Sequence, residues 1–442
     1  MLIKNAHIIN EGHETQGDLL IRAGRIEKIG GNITAPAGVT IFDAKGGWLL
    51  PGMIDDQVHF REPGLTAKGD IASESAAAVA GGITSFCEMP NTIPNATTRP
   101  ILAEKYSRAA GRAHGNYAFY FGAANDNLEE LKQLQPNEAC GVKIFMGAST
   151  GNMLVDNVAT LEGIFANCPY IIATHCEDTP TIKANEAIWR EKYGDDCPPS
   201  QHPKIRSEES CYKSSKLAVG LAKKYGARLH VLHLTTAREL EFFPPGPLAE
   251  KQITAEACVH HLFFDERDYA TKGNLIKCNP AIKTAADRVA LVQAVKDGRL
   301  DIIATDHAPH TAAEKAQGYW KAPSGLPLVQ HALLMLLELV RRGELNLRTV
   351  VRRTSHAPAE RFRIVERGYI REGYWADLTL IDPHQPTRVD KTGLLYRCGW
   401  SPVEGTTFAH SIAATWVNGE LAYANGKVTP KPLGQRMQFR SS

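Results

Sequence analysis

The chain has 442 residues, 43% of them hydrophobic and 22% charged, a balance that excludes a disordered, collagenous or fibrous polypeptide and suits a globular protein with a sizeable core. Fifty Lys and Arg against 48 Asp and Glu leave a net charge of +2, so there is no broad field of the kind a nucleic acid or an anionic membrane partner needs.

The first fifty residues read as short strands punctuated by glycine: LIKNAHIIN, DLLIRAG, GRIEKIG and VTIFDAKGGWLL. MLIKNAHIINEG is not a signal-peptide pattern. Strand and helix then alternate. Candidate strands cover residues 48–54, 83–89, 117–122, 140–146, 170–175, 229–234, 252–258 and 301–305, with amphipathic helical stretches such as 71–80, 213–224 and 286–295 between them. Nearly continuous apolar strands fit a sheet buried on both faces. Eight strand–helix repeats over about three hundred residues predict a (β/α)8, TIM-like barrel. A doubly wound open sheet competes with it, but no GxGxxG follows the early strands. The apolar run 333–340 is too short to span a bilayer. The end of the chain is again β-rich (GYIREGYWADLTLID, AATWVNGE, LAYANGKV), with Asn418-Gly419 as a hairpin signal. The expected organisation is therefore α/β: a small β-sandwich domain formed by both termini (residues 1–49 and 366–430), a barrel over 50–365 and a loose polar tail over 431–442. Nine scattered cysteines without a CxxC pair suggest neither a disulfide framework nor a zinc ribbon; reduced thiols in a cytoplasmic protein are the expectation.

Chemistry in a barrel sits at the C-terminal ends of its strands. Read in order, those ends carry Asp55, Asp56, Gln57, His59 and Arg61, then Lys143, His175, His230 with His233, and Asp306-His307 with His310 just beyond. Imidazoles and carboxylates converging from distant strands are what a metal site with an open position for water requires. His230 and His233 are three apart on a strand and are expected to point to opposite faces, with His233 looking into the mouth. His260-His261 read as structural. Lys143 lies in the otherwise apolar run VKIFM, where a buried ammonium is costly. It is either a Schiff-base nucleophile or a lysine converted by carbon dioxide to a carbamate able to bridge two metal ions; the surrounding His and Asp favour the carbamate. The loop 310–324, with Gly318 and Tyr319-Trp320, is expected to shield the site.

PGMIDDQVHFREPG (51–64) resembles the first-strand signature of the dihydroorotases in the cyclic amidohydrolase superfamily, in the longer bacterial type carrying DDQVHFREPG. MPNT (89–92), VKIFMG (142–147), ATHCED (173–178), LHVLHLTT (229–236), KCNPAIKT (277–284) and IIATDHAPHT (302–311) extend the likeness over nearly the whole chain. The resemblance implies a metal-dependent cyclic amide hydrolase that interconverts dihydroorotate and N-carbamoyl-aspartate in pyrimidine biosynthesis. It implies His59, His175 and His233 as metal ligands, Lys143 as a carbamylated bridge, and Asp306 as ligand and general acid/base. Arg61, Asn91 and His310 would hold the substrate carboxylate, and Asn279 and Pro323-Ser324-Gly325 would contact the ring. One or two zinc ions, a homodimer and a small-molecule substrate follow by the same likeness, with no nucleic acid or membrane partner.

One position departs from the pattern. The superfamily has His-x-His at the end of the first strand, and here the first of these is Gln57, a neutral and weak ligand beside imidazole. Weak binding, ligation through the Gln57 oxygen and an empty position stay open, as does an inactive partner subunit. Allantoinases share the metal set and the EPG turn but have no need of Arg61; hydantoinases share VKIFM but not HFREPG.

Overall fold

The computed structural model describes residues 1–147 and 153–440. Both ends of the chain contribute to one nine-stranded mixed sheet. Leu2–Asn10 pairs antiparallel with His13–Arg22 and parallel with Trp48–Pro51, and Trp48–Pro51 pairs antiparallel with Leu378–Asp382, where Leu49 faces Leu380. Ser411–Val417 and Glu420–Ala424 continue the sheet. The apolar faces of these strands bury Ile3, Ile8, Leu49, Leu378 and Trp416 together. Asn418 and Gly419 take φ of 52° and 75°, as a two-residue type I′ loop demands, so the expected hairpin is present.

The expected strand over 48–54 is two strands in different sheets. Trp48–Pro51 belongs to the terminal sheet, and Met53–Val58 begins a run of parallel strands. The chain crosses at Gly52, where a Cβ would stand 2.2 Å from the Thr84 side chain; only glycine fits. Met53–Val58, Ile83–Glu88 and Asn116–Phe119 form one parallel sheet, and Phe121–Gly122, Val142–Phe145, Ile172–His175, Leu229–Val231, Ile253–Cys258 and Ile302–Ala304 form another. Tyr120 alone separates the two at one junction, and a parallel bridge joins Val58 to His307 at the other. The chain is thus α/β with parallel sheets whose strands are buried on both faces, and their C-terminal ends carry the side chains described below.

Ile71–Ala80 is helical as the periodicity predicts, capped by Asp70 and Ser73. The stretches 213–224 and 286–295 lie inside the helices Glu208–Tyr225 and Ala285–Asp297. The apolar run 333–340 falls in Ala332–Arg341, whose leucines are buried all round, as in a core helix. No helix among the described residues is long and apolar enough to cross a membrane. All nine cysteines are free.

The C-terminal segment is not loose. The Tyr117 amide donates to the Gln435 carbonyl at 3.0 Å and the Met437 amide to the Tyr117 carbonyl at 2.9 Å, while Met437 is fully buried. The polar composition of residues 431–440 hides two apolar anchors, Leu433 and Met437, and a set of backbone hydrogen bonds that fix it along the strand Asn116–Phe119.

Candidate active site

One cavity of 620 Å³ is lined by every residue the resemblance assigns to the site: His59, Lys143, His175, His233 and Asp306, then Arg61, Asn91, Asn279, His310 and Pro323-Ser324-Gly325; Asp55, Asp56, His230 and His307 do not line it. His59, Asn91, His175, His233 and Asp306 lie at or just beyond the C-terminal ends of their parallel strands, and Lys143 lies within Val142–Phe145, which is why positions as far apart as 59 and 306 meet.

One side of the cavity is an imidazole pair. His175 Nε2 donates to Glu177 at 2.9 Å, and Arg206 bonds the same carboxylate. Burial opposes ionisation of Glu177, but Arg206 and His175 hold its carboxyl down to about 2. The tautomer of His175 is thereby set, with the Nδ1 lone pair directed at His233 Nε2, 3.0 Å away. Burial keeps both rings below the usual histidine range, hence neutral, and His233 Nδ1 is buried with no hydrogen-bond partner among the described residues.

His233 does not alternate with His230 as expected. The strand ends at Val231, and His233 adopts a left-handed φ of 40°, so both rings turn inward. His230 lies deeper, 3.1 Å from Glu256 and 3.3 Å from Asp56. Glu256 in turn accepts the His233 backbone N–H at 3.2 Å, bracing that strained turn.

The opposite side pairs His59 Nε2 with Asp306 Oδ1 at 3.1 Å, and His59 Nδ1 lies 2.8 Å from Asn91 Oδ1. Asp306 also has a left-handed φ, 49°. It follows Thr305, whose amide and hydroxyl both donate to the buried Asp55 carboxyl. Burial opposes ionisation of Asp306, yet the contact with His59 holds its carboxyl below the usual range. Lys143 stands over the Phe145 ring at 4.5 Å; burial pulls its ammonium down to about 8 against the attraction of Asp306 and Glu256. Neutral imidazoles, a carboxylate and an amine that sheds its proton readily are a donor set that fits a divalent cation.

Beyond the metal-type residues the cavity turns cationic. Arg61 is 7% exposed and is anchored through Nε to the Pro309 carbonyl at 3.1 Å. Among the described residues no carboxylate lies within 4.0 Å of its guanidinium. His310 accepts from Lys68 Nζ at Nδ1 (3.0 Å) and donates from Nε2 to the Ser324 carbonyl (3.0 Å). Burial, Arg61, Lys68 and Lys315 push it far below the usual range, so it is neutral. Asn279 Oδ1 is buried with no hydrogen-bond partner among the described residues. This is a corner built for an anion.

Lys68 was not singled out in the sequence. It lies in LTAKGD, seven positions after Arg61, and nothing local marks it; its ion pair with Glu314 at 2.8 Å is visible only in three dimensions. The loop 310–324 is pinned by its aromatic pair, with the Tyr319 hydroxyl 2.8 Å from His202 Nδ1 and Trp320 Nε1 donating to the Gly194 carbonyl at 2.8 Å, and also by two buried lysines. Lys315 Nζ bonds the Lys277, Pro323 and Gly325 carbonyls, and Lys277 Nζ bonds those of Tyr319 and Ala322. The His260 and His261 rings lie 3.9 Å apart, tilted by 45°, and form with Cys278 a buried group able to chelate, as do Asp56, His230 and Glu256.

A model of the amidohydrolase family matches residues 48–422. The chain belongs to that family. It is also 31% identical to a dihydroorotase of Methanosarcina mazei over 97% of this chain and 95% of the relative, and 33% identical to one of Halobacterium salinarum over 88% and 89%. The dihydroorotase likeness read from the motifs therefore holds. Among solved structures, this amidohydrolase superimposes on the L-hydantoinase of Arthrobacter aurescens with a TM-score of 0.93 at 25% identity, covering 99% of each chain.

If Glu177 orients a metal-binding ring, Glu177→Gln is expected to weaken divalent-metal affinity about 10- to 100-fold, read by competition with a chromophoric chelator. An unchanged affinity would remove Glu177 from that role.

Proposed function

We propose that this amidohydrolase catalyses the reversible hydrolysis of dihydroorotate to N-carbamoyl-aspartate, the ring-closing chemistry of pyrimidine synthesis. The observation that carries the reading is the buried guanidinium of Arg61, unpaired by any carboxylate among the described residues, facing the same cavity as the His/Asp cluster. Dihydroorotate has both groups such a cavity requires: a carboxylate for the cationic corner and a cyclic amide for the metal side. Hydantoin rings have the amide without the carboxylate.

In this reading His59, His175, His233 and Asp306 hold divalent metal, zinc being the best match to imidazole donors, with Lys143 as a carbamate if two ions bind. The metal would polarise the amide carbonyl and lower the pKa of a water. Arg61, Asn91 and His310 fix the carboxylate, with Lys68 beside them, so that the ring is oriented before reaction. Asn279 and the 323–325 backbone face the ring. Asp306 takes the proton from the attacking water and returns it to the ring nitrogen as the C–N bond breaks. We read the two parallel sheets as one closed (β/α)8 barrel and the terminal strands as a small β-sandwich. The protein would work as a cytoplasmic homodimer on a small molecule.

The test is turnover by pure, metal-loaded protein of dihydroorotate, hydantoin and dihydrouracil side by side, followed in the ultraviolet. Dihydroorotate is expected to have the highest kcat/KM, by about 100-fold or more, since one buried charge-assisted contact is worth about 2–5 kcal/mol. Preference for hydantoin would move the chain to the hydantoinase type. Absence of all three activities in folded, metal-loaded protein would favour an inactive partner subunit.

A further inference from the structure

Gln57 stands where the superfamily places a metal-binding histidine, and its surroundings say what it does instead. The side chain is 1% exposed. Its Nε2 lies 3.1 Å from Asp306 Oδ1, and its Oε1 lies 3.6 Å from the Cys258 thiol. Both neighbours dictate the same orientation of the amide. A carboxylate can only accept, so the NH2 must face Asp306; the thiol donates, so the oxygen must face Cys258. Turning the amide to offer oxygen to a cation would set Oε1 against Asp306 Oδ1 and leave the Cys258 thiol only its longer contact with Glu256 Oε1, at 3.9 Å. The group presented to the cavity is thus an N–H donor, with its partial positive charge where a ligand lone pair would be needed.

From this contact we infer that Gln57 is a positioning residue that clamps Asp306, not a metal ligand, and that the two halves of the site are consequently unequal. This rests on the metal-hydrolase reading above. The His175 and His233 half keeps both of its imidazoles, preset by Glu177. The His59 half has one imidazole and an Asp306 oxygen already engaged by a hydrogen bond from Gln57. One ion per chain is therefore held tightly, on the His175 and His233 side, and an ion on the His59 side is lost readily.

Metal counting tests this independently of substrate. Chain loaded with zinc or cobalt(II) in bicarbonate buffer is dialysed against a mild chelator and the metal per folded chain is measured. One ion is expected to remain in the wild type and two in Gln57→His, through a gain of about tenfold or more in second-site affinity. Gln57→Leu, which removes both the amide oxygen and the N–H, is expected to keep one ion and an unchanged cobalt(II) visible spectrum, because no coordinating atom is lost. Two ions retained by the wild type, a Gln57→His variant that stays at one, or a Gln57→Leu variant with a lower count or a shifted cobalt band would each overturn the inference. Failure of dihydroorotate turnover would leave these counts untouched and would strike only the substrate assignment.

Discussion

Replacing Asp306 with asparagine is expected to lower kcat for dihydroorotate hydrolysis by about 10³-fold or more while the chain remains folded. The substitution is nearly isosteric, so the argument concerns charge and proton affinity. Asp306 is buried at the mouth of the parallel strands, facing the cavity, on a left-handed turn held by the two hydrogen bonds from Thr305 to Asp55. His59 draws its carboxyl below the usual range, so it is anionic and able to take a proton. Asparagine cannot accept and return a proton, and a positioned acid–base group is worth about 10²- to 10⁴-fold. It also gives a cation a neutral oxygen in place of a charged one. Steady-state kinetics with metal content measured on the same sample separates the two losses: a variant with full metal and a collapsed kcat assigns the proton transfer to Asp306. Activity within about tenfold of wild type would put the proton transfer on another group.

The residues most legible in the sequence were those at strand ends, because a parallel α/β arrangement sends the end of every strand to the same side. His59, His175 and Asp306 are readable for that reason, and Lys143 because an ammonium inside the apolar run VKIFM is costly; all four line one cavity. The period-two rule failed between His230 and His233 because it presumes a continuing strand; the strand stops at Val231, and the left-handed turn at His233 adds a rotation that no pattern of residue types encodes. The join at Gly52 was missed for a related reason. Apolar residues run unbroken from Trp48 to Ile54, and the change of sheet is caused by contact with Thr84, thirty-two positions later. Lys68 and the buried Lys277–Lys315 latch were illegible because a lysine in a loop is ordinarily solvated. Their roles come from carbonyls and carboxylates brought to them by the rest of the fold.

The left-handed turns also connect fold to chemistry. Arg61, His233 and Asp306 all have positive φ, at 71°, 40° and 49°. Such conformations cost of order 1–3 kcal/mol each for residues other than glycine and persist where surrounding contacts over-determine them. Here those contacts are identifiable: Pro309 for Arg61, Glu256 for His233, and Asp55 through Thr305 for Asp306. Each aims one functional group into the cavity, and each brace lies on a different strand or loop from the residue it holds. Geometry at the site is thus tied to the integrity of the strands around it.

Arg61→Met should then reduce kcat/KM for dihydroorotate by about 10²- to 10³-fold, the second large effect. The guanidinium is nearly inaccessible, yet has no carboxylate within 4.0 Å among the described residues. Its charge is sustained at longer range by Asp306, Glu88, Glu314 and Glu74, against a burial that lowers its pKa to about 10. A substrate carboxylate entering this corner would complete an ion pair already stripped of water. Truncating one partner of a buried, hydrogen-bonded pair costs about 2–5 kcal/mol, which converts at 1.4 kcal/mol per tenfold to about 30- to 4,000-fold, a range centred on the stated loss. Methionine keeps the apolar stem and removes the charge, so the loss should appear chiefly in KM, with metal content unchanged. Lysine at this position should rescue little, because a point charge does not reproduce the planar fork that grips two carboxylate oxygens while Nε remains on Pro309. A ring without a carboxylate should be indifferent to the change, so the ratio of dihydroorotate to hydantoin turnover reports on Arg61 alone. If both substrates fall together, Arg61 supports the cavity wall rather than the carboxylate, and Lys68 with His310 becomes the anion-binding corner.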